Sequence, residues 1–238
     1  MKRFRSTVVA AAVLVILPVA VPESAVTQGV VTWLVFVDDL HLDFRNTGRL
    51  RDLLRMLPGE VIRTGDRFAV RSSGPSMLSV DITQDQTLLA SALRRATGSG
   101  LSVSDIARGG RNEARDRATV ALATMRAAIS ALGQAPPARR GLIYVSNGYP
   151  GGDPLRDQVE EVARFAQETG VTIFAVDPRG LPGAIVADPR VDPLVWKDYL
   201  TATRETLRML SQPTGGFALF EFADVSQALN GIGAAMRK

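Results

Sequence analysis

From Val30 onward, short apolar runs alternate with longer stretches in which apolar residues recur at helical spacing, the pattern of a parallel α/β sheet. The runs Val31–Val37, Arg67–Ser72, Leu142–Ser146, Val171–Val176 and Phe217–Phe222 are compact and rich in Val, Ile, Leu and Phe, as strands covered on both faces must be. Met77–Ile82 follows Arg67–Ser72 across Ser73-Gly74-Pro75, which is too short for a crossover helix. Those two runs therefore predict an antiparallel hairpin at one edge of the sheet. Between the strands, Leu50, Leu53, Leu54, Leu57 and Val61 form one helical stripe, and Ala114, Ala118, Ala121, Leu122, Met125, Ile129 and Leu132 form another. Leu155, Val159, Val162 and Ala166 make a third, Leu207 and Leu210 a short fourth, and Val225, Leu229, Ile232 and Met236 a last one.

These elements predict an α/β fold: a doubly wound, mostly parallel six-stranded sheet with one antiparallel edge strand and helices on both faces, built as a single domain over residues 30–238. The Gly- and Ser-rich segment Thr97–Arg111 and the segment Asp177–Tyr199, with Pro178, Pro182, Pro189 and Pro193, read as long loops starting or finishing near the carboxyl end of the sheet.

Residues 1–25 stand apart. Lys2, Arg3 and Arg5 precede an uncharged apolar stretch, Thr7 to Val21, that Pro18 and Pro22 interrupt. It falls short of the roughly 20 residues that cross a bilayer comfortably, so it reads as a secretory signal, or as an N-terminal anchor if uncleaved. The expectation is an exported protein, periplasmic or secreted, touching the inner membrane only through that segment. With no cysteine there is neither a disulfide nor a cysteine-linked lipid, and an exported chain must rely on its core. The formal charge of +4 overstates the basicity of the domain: without residues 1–25, 25 basic residues face 23 acidic ones, a net +2. Arginines are scattered along helices without interleaved aromatics, so nucleic acid is not an expected partner.

The candidate chemistry gathers in Phe36–Phe44, FVDDLHLDF, which holds three aspartates and the only histidine directly after the first strand. A Ser-His-Asp mechanism would need His41 as its base, and no G-x-S-x-G turn exists to supply the nucleophile. Phosphate-cradling glycine loops are absent as well. Asp39, His41 and Asp43 alternate at the carboxyl end of the first strand, where open α/β sheets bind ligands, and carboxylates with an imidazole suit one divalent cation such as Mg, Mn or Ca. The same residues also read as architecture, with Asp43, Asn46 or Thr47 capping the next helix and Asp39 accepting backbone N–H bonds.

The stretch from about Val30 to Lys238 resembles a von Willebrand factor type A (VWA) domain, in particular the divergent forms of exported bacterial proteins of the acidobacterial type. Leu34-Val35-Phe36-Val37-Asp38-Asp39 resembles the family's first strand and metal-site aspartate, and Thr64-Gly65-Asp66-Arg67-Phe68-Ala69-Val70 the strand after the first helix. Leu142-Ile143-Tyr144-Val145-Ser146-Asn147-Gly148 falls where the family has an apolar strand ending in Thr-Asp-Gly, and LSQPTGGFALF with Asp224 to Leu229 resembles its closing segment. The resemblance implies a metal-ion-dependent adhesion site built from Asp-x-Ser-x-Ser, a threonine and an aspartate on three loops. This chain departs from every part of it. Asp39 takes the aspartate's place, His41 and Asp43 stand where the serines belong, Asn147 replaces the third-loop aspartate, and Ser102 or Ser104 stands nearest the threonine. Two outcomes stay open: a divalent cation held by Asp39, His41, Asp43, Ser102 and Asn147, or a degenerate site in which the same loops form a hydrogen-bond network without metal.

The function that follows is a non-enzymatic module binding another protein through the carboxyl-edge loops, around Ser104, Arg111, Arg179 and Trp196. The alternative is a haloacid-dehalogenase-like phosphohydrolase with Asp39 as nucleophile, suggested by Ser146-Asn147-Gly148. It lacks both a second aspartate two residues on and a lysine after that strand.

Overall fold

The structure, a computed structural model, describes residues 29–136 and 138–238, and the proposed signal or anchor over residues 1–25 lies outside them. Strands β1 (Val31–Val37), β2 (Arg67–Ser72), β3 (Ser79–Thr83), β4 (Arg139–Val145), β5 (Val171–Val176) and β6 (Ala218–Leu219) form one sheet in the order β3-β2-β1-β4-β5-β6. All neighbours run parallel except β2 and β3, which pair antiparallel at the edge. The doubly wound sheet with one antiparallel edge strand is thus the expected one.

Alternation along β1 divides the core between the two faces of the sheet. Trp33, Val35 and Val37 pack with helices α1 (Thr47–Glu60), α2 (Gln86–Leu93) and α7 (Val225–Ala235). Leu34 and Phe36 pack on the other side with α4 (Arg111–Gly133), α5 (Asp153–Glu168) and α6 (Pro193–Ser211). All seven residues of β1 are buried, as a central parallel strand must be. β1 lies between β2 and β4, so the chain winds away from it in both directions and leaves a crevice at their carboxyl ends.

Both long loops are shorter than the sequence pattern predicts. In Thr97–Arg111, Ser102 caps a turn of helix, α3 (Val103–Asp105), and a π-turn over Ile106–Gly110 hands the chain to α4. Gly109 supplies the left-handed φ of 127° that this turn requires. In Asp177–Tyr199, Pro193 opens α6 with Asp192 as its cap, accepting from Leu194 N at 2.8 Å. Proline suits a first helical turn, where its missing N–H costs nothing, so a residue that reads as a loop signal marks a helix start instead.

Helix α2 carries no long stripe in the sequence; it rests on Leu89, Ala92 and Leu93 and on an Asp85 cap. Strand β6 is only two residues long, against the expected Phe217–Phe222, and pairs with β5 through Ala175↔Ala218 and Val176↔Leu219.

Candidate functional site

β1 delivers Asp38 to the crevice, and the alternation that turns Phe36 towards the α4–α6 face turns Asp38 the same way. Its carboxylate is fully buried and gathers four side chains from three strand ends. The Asp38 Oδ1 accepts from Ser73 Oγ at 2.7 Å, and Oδ2 accepts from Ser146 Oγ at 2.9 Å and Tyr144 Oη at 2.5 Å. His41 Nδ1 lies 2.9 Å from Oδ2 and 3.0 Å from Oδ1. Burial alone would push this carboxyl up; the His41 charge and hydrogen bond, with the hydrogen bonds from Tyr144 and Ser73, outweigh it and hold Asp38 below the usual carboxylate range. Burial, with the Asp38 charge behind it, pushes the Tyr144 hydroxyl well above its ordinary value, so the phenol stays a donor.

Asp39, His41, Asp43, Ser102 and Asn147 make no side-chain hydrogen bonds to one another among the described residues. Asp39 is buried too: its Oδ1 lies 3.0 Å from Ser73 Oγ, whose single hydrogen it shares with Asp38, and its Oδ2 accepts from Ser76 N at 2.6 Å. The Asp43 carboxylate is clamped by Arg45, through N at 2.8 Å and Nη2 at 2.6 Å, and caps the turn that leads into α1. Ser102 is occupied as the cap of α3 in a reciprocal pair with Asp105, with its hydroxyl 2.8 Å from that of Ser104. Asn147 meets His41 through the backbone only, its N donating to His41 O at 3.3 Å.

Arg179, expected to face a partner, is buried. Its guanidinium grips Asp177 through Nε and Nη2 and donates to Asn147 O at 2.6 Å, which fixes the third loop against the start of β5's exit. Arg111 is exposed at the first turn of α4, and Trp196 sits on α6 beside Tyr199, with ring centroids 5.7 Å apart.

As arranged, the side chains do not fit the divalent cation of an adhesion site. Among the described residues no three of His, Asp or Glu come together as a ligand set. The Asp38 and Asp39 oxygens are already occupied by hydroxyl, imidazole or N–H groups, and Asp43 is neutralised by Arg45. A pocket of about 40 Å³ remains over the crevice, lined by His41, Ser102, Asn147, Arg179, Trp196 and Tyr199 among others. Asp39 cannot act as an open nucleophile either, since its carboxylate is buried and held from two sides, and the phosphohydrolase alternative finds no support.

Sequence reasoning missed Asp38 as the hub and Ser73, Tyr144 and Ser146 as its donors. A signal existed: Tyr144 and Ser146 place hydroxyls at alternate positions at the end of an otherwise apolar strand, on the face that Asp38 shares.

No family model matches this chain, and no curated protein does. Among solved structures, it is similar to an aerotolerance-related membrane protein of Bacteroides fragilis, at 12% identity and a TM-score of 0.56, covering 87% of this chain and 98% of that one. It is also similar to BatB of Bacteroides thetaiotaomicron (14% identity, TM-score 0.49, 87% and 98% covered) and to the SpRpn10 VWA domain (11%, 0.49, 88% and 98%). The first likeness establishes the fold and, at that identity, the fold alone. The sheet order and its single antiparallel edge pair are those of the doubly wound fold expected from the sequence. Among the described residues no helix is long and apolar enough to cross a membrane.

Proposed function

We propose that this chain is an exported, non-enzymatic binding module that recognises another protein through the carboxyl-edge loops, without a cation at the crevice. The observation that carries this reading is the exposure of apolar side chains on the carboxyl-edge segments and on the first turn of α6. Phe44 is 69% exposed and Leu194 70%, with Ile185, Val186 and Val195 also open to solvent. Burying apolar surface is the main favourable term in association, and apolar groups clustered in solvent mark interaction sites.

The patch is held in shape. Asn46 Nδ2 donates to Ile185 O at 2.9 Å and Asn46 Oδ1 accepts from Ile185 N at 2.7 Å, so one amide ties the Pro-rich loop to the segment that bears Phe44. Asp188 pairs locally with Arg190 at 2.8 Å, and its Oδ2 accepts from Ser104 Oγ at 3.5 Å, which ties the far side of that loop to α3. The Asp38 network beneath is a rigid foundation, and a surface preorganised in this way loses less entropy on binding. Export rests on Lys2, Arg3 and Arg5 ahead of the apolar Thr7–Val21.

The test is capture of partners from a cell-envelope extract by the immobilised chain in the presence of a chelator. A partner retained by the unaltered chain and lost with Phe44→Asp or Ile185→Asp, at unchanged melting temperature, supports the reading. Capture that survives both substitutions, or that needs added divalent cation, overturns it.

A further inference from the structure

Beside the crevice, a groove of about 470 Å³ runs between the start of α4 and the amino-terminal half of α6. Its lining is mostly apolar, with Ile106, Ala114, Leu155, Val195, Tyr199 and Ala202 along it, and Pro150 and Val103 join it to the pocket over the crevice. A concave, apolar site of this size with few polar groups is the general form of a recognition pocket. The charged residues of its described lining are two arginines and one aspartate. Arg111 and Arg115 lie one turn apart on α4, both exposed, and neither has an ion-pair partner among the described residues. Their neighbours are committed: Arg108 pairs with Asp105 at 2.6 Å and Arg117 with Glu113 at 2.7 Å. Asp198 is the one acidic residue of the described lining. The first turn of a 23-residue helix adds partial positive charge at the same place.

We propose that this groove docks a short segment of a partner protein in which a large apolar side chain is flanked by acidic residues. The inference rests on carboxyl-edge recognition and names the chemistry of what is recognised. The apolar side chain enters between Ile106, Leu155 and Val195 and loses its water there, as the buried anchor of an interface does. The acidic neighbours lie over Arg111 and Arg115, where rim charges select the partner and speed its approach.

The experiment selects a random 12-residue peptide library displayed on phage against the immobilised full chain in chelator. Enriched peptides are then synthesised and titrated against the chain and its variants. The expected peptides combine an aromatic or large aliphatic residue with nearby Asp or Glu, and lose about tenfold or more in affinity, roughly 1.4 kcal/mol, with R111E/R115E and with Val195→Asp. R111K/R115K should keep most of the binding, and coincident thermal melts exclude misfolding. No enrichment, enrichment without acidic residues, or binding indifferent to R111E/R115E overturns the proposal. Peptides lost with Phe44→Asp but kept with R111E/R115E also overturn it, while leaving carboxyl-edge recognition in place.

Discussion

Tyr144 donates its hydroxyl hydrogen to Asp38 Oδ2 at 2.5 Å, a bond between residues 106 apart in the chain. The register of β1 and β4 sets Phe36 opposite Tyr144, so the residue two places after Phe36 meets the phenol on one face of the sheet. This pair, with His41, Ser73 and Ser146, holds a buried carboxylate in place at the crevice.

Removing that charge strands its donors. Asp38→Ala should cost about 3–5 kcal/mol of unfolding free energy, because the buried hydroxyls and imidazole lose their common acceptor. Tyr144→Phe should cost about 1–3 kcal/mol, whereas Asp43→Ala, which breaks a partly exposed pair, should cost about 1 kcal/mol or less. Urea denaturation of the three proteins checks the ranking.

Acid should unfold the chain partly through Asp38. Its folded carboxyl titrates below the usual range while the unfolded one titrates near 3.9, so on acidification the unfolded chain takes up the proton first. The stabilisation is complete above about pH 4 and is lost as pH falls through the folded value. Asp38→Asn should therefore give a flatter stability profile below about pH 4, measured by denaturant titration at successive pH values. An equal slope in both proteins would place the acid sensitivity elsewhere.

Divalent cations should leave the melting temperature unchanged. A cation bound at a hundredfold excess over its Kd would add about 2.7 kcal/mol, or about 5–10 °C for a chain of this size. Melts after chelation, with magnesium, calcium, manganese or zinc restored, decide the point. A rise that Asp39→Ala abolishes would establish an altered adhesion site.

Trp33 lies across Gly141, its partner in the β1–β4 register. A Cβ at Gly141 would fall 2.4 Å from the indole Cζ3, and the ring has little room to move because its Nε1 donates to Asp66 Oδ2 at 3.1 Å. Gly141→Ala should therefore destabilise by about 1–3 kcal/mol through overpacking. Equilibrium unfolding monitored by tryptophan fluorescence measures it.

The strand runs, the hairpin and the helical stripes were legible because burial on one or both faces imposes a period on the residues themselves. Prolines were less legible: Pro193 breaks a strand or a helix interior but suits a helix start, and only the Asp192 cap distinguishes the two. Helix α2 escaped notice because two turns show too few apolar residues for a period to emerge.

At the crevice, sequence spacing grouped Asp39, His41 and Asp43, yet the fold joins His41 to Asp38, ties Asp39 to Ser73 and Ser76, and leaves Asp43 with Arg45. Spacing along a strand end fixes which face a side chain starts from; it does not fix which distant groups have arrived there. The sequence by itself determined the sheet, its edge hairpin and the carboxyl-edge position of the acidic stretch, since these follow from local periodicity and chain length. The tertiary structure alone decided that Ser73, Tyr144 and Ser146 converge on one carboxylate, that Arg179 is buried against Asp177 and that Arg111 and Arg115 border an apolar groove. Those outcomes depend on strand register and helix packing between residues far apart in sequence, which no local pattern encodes.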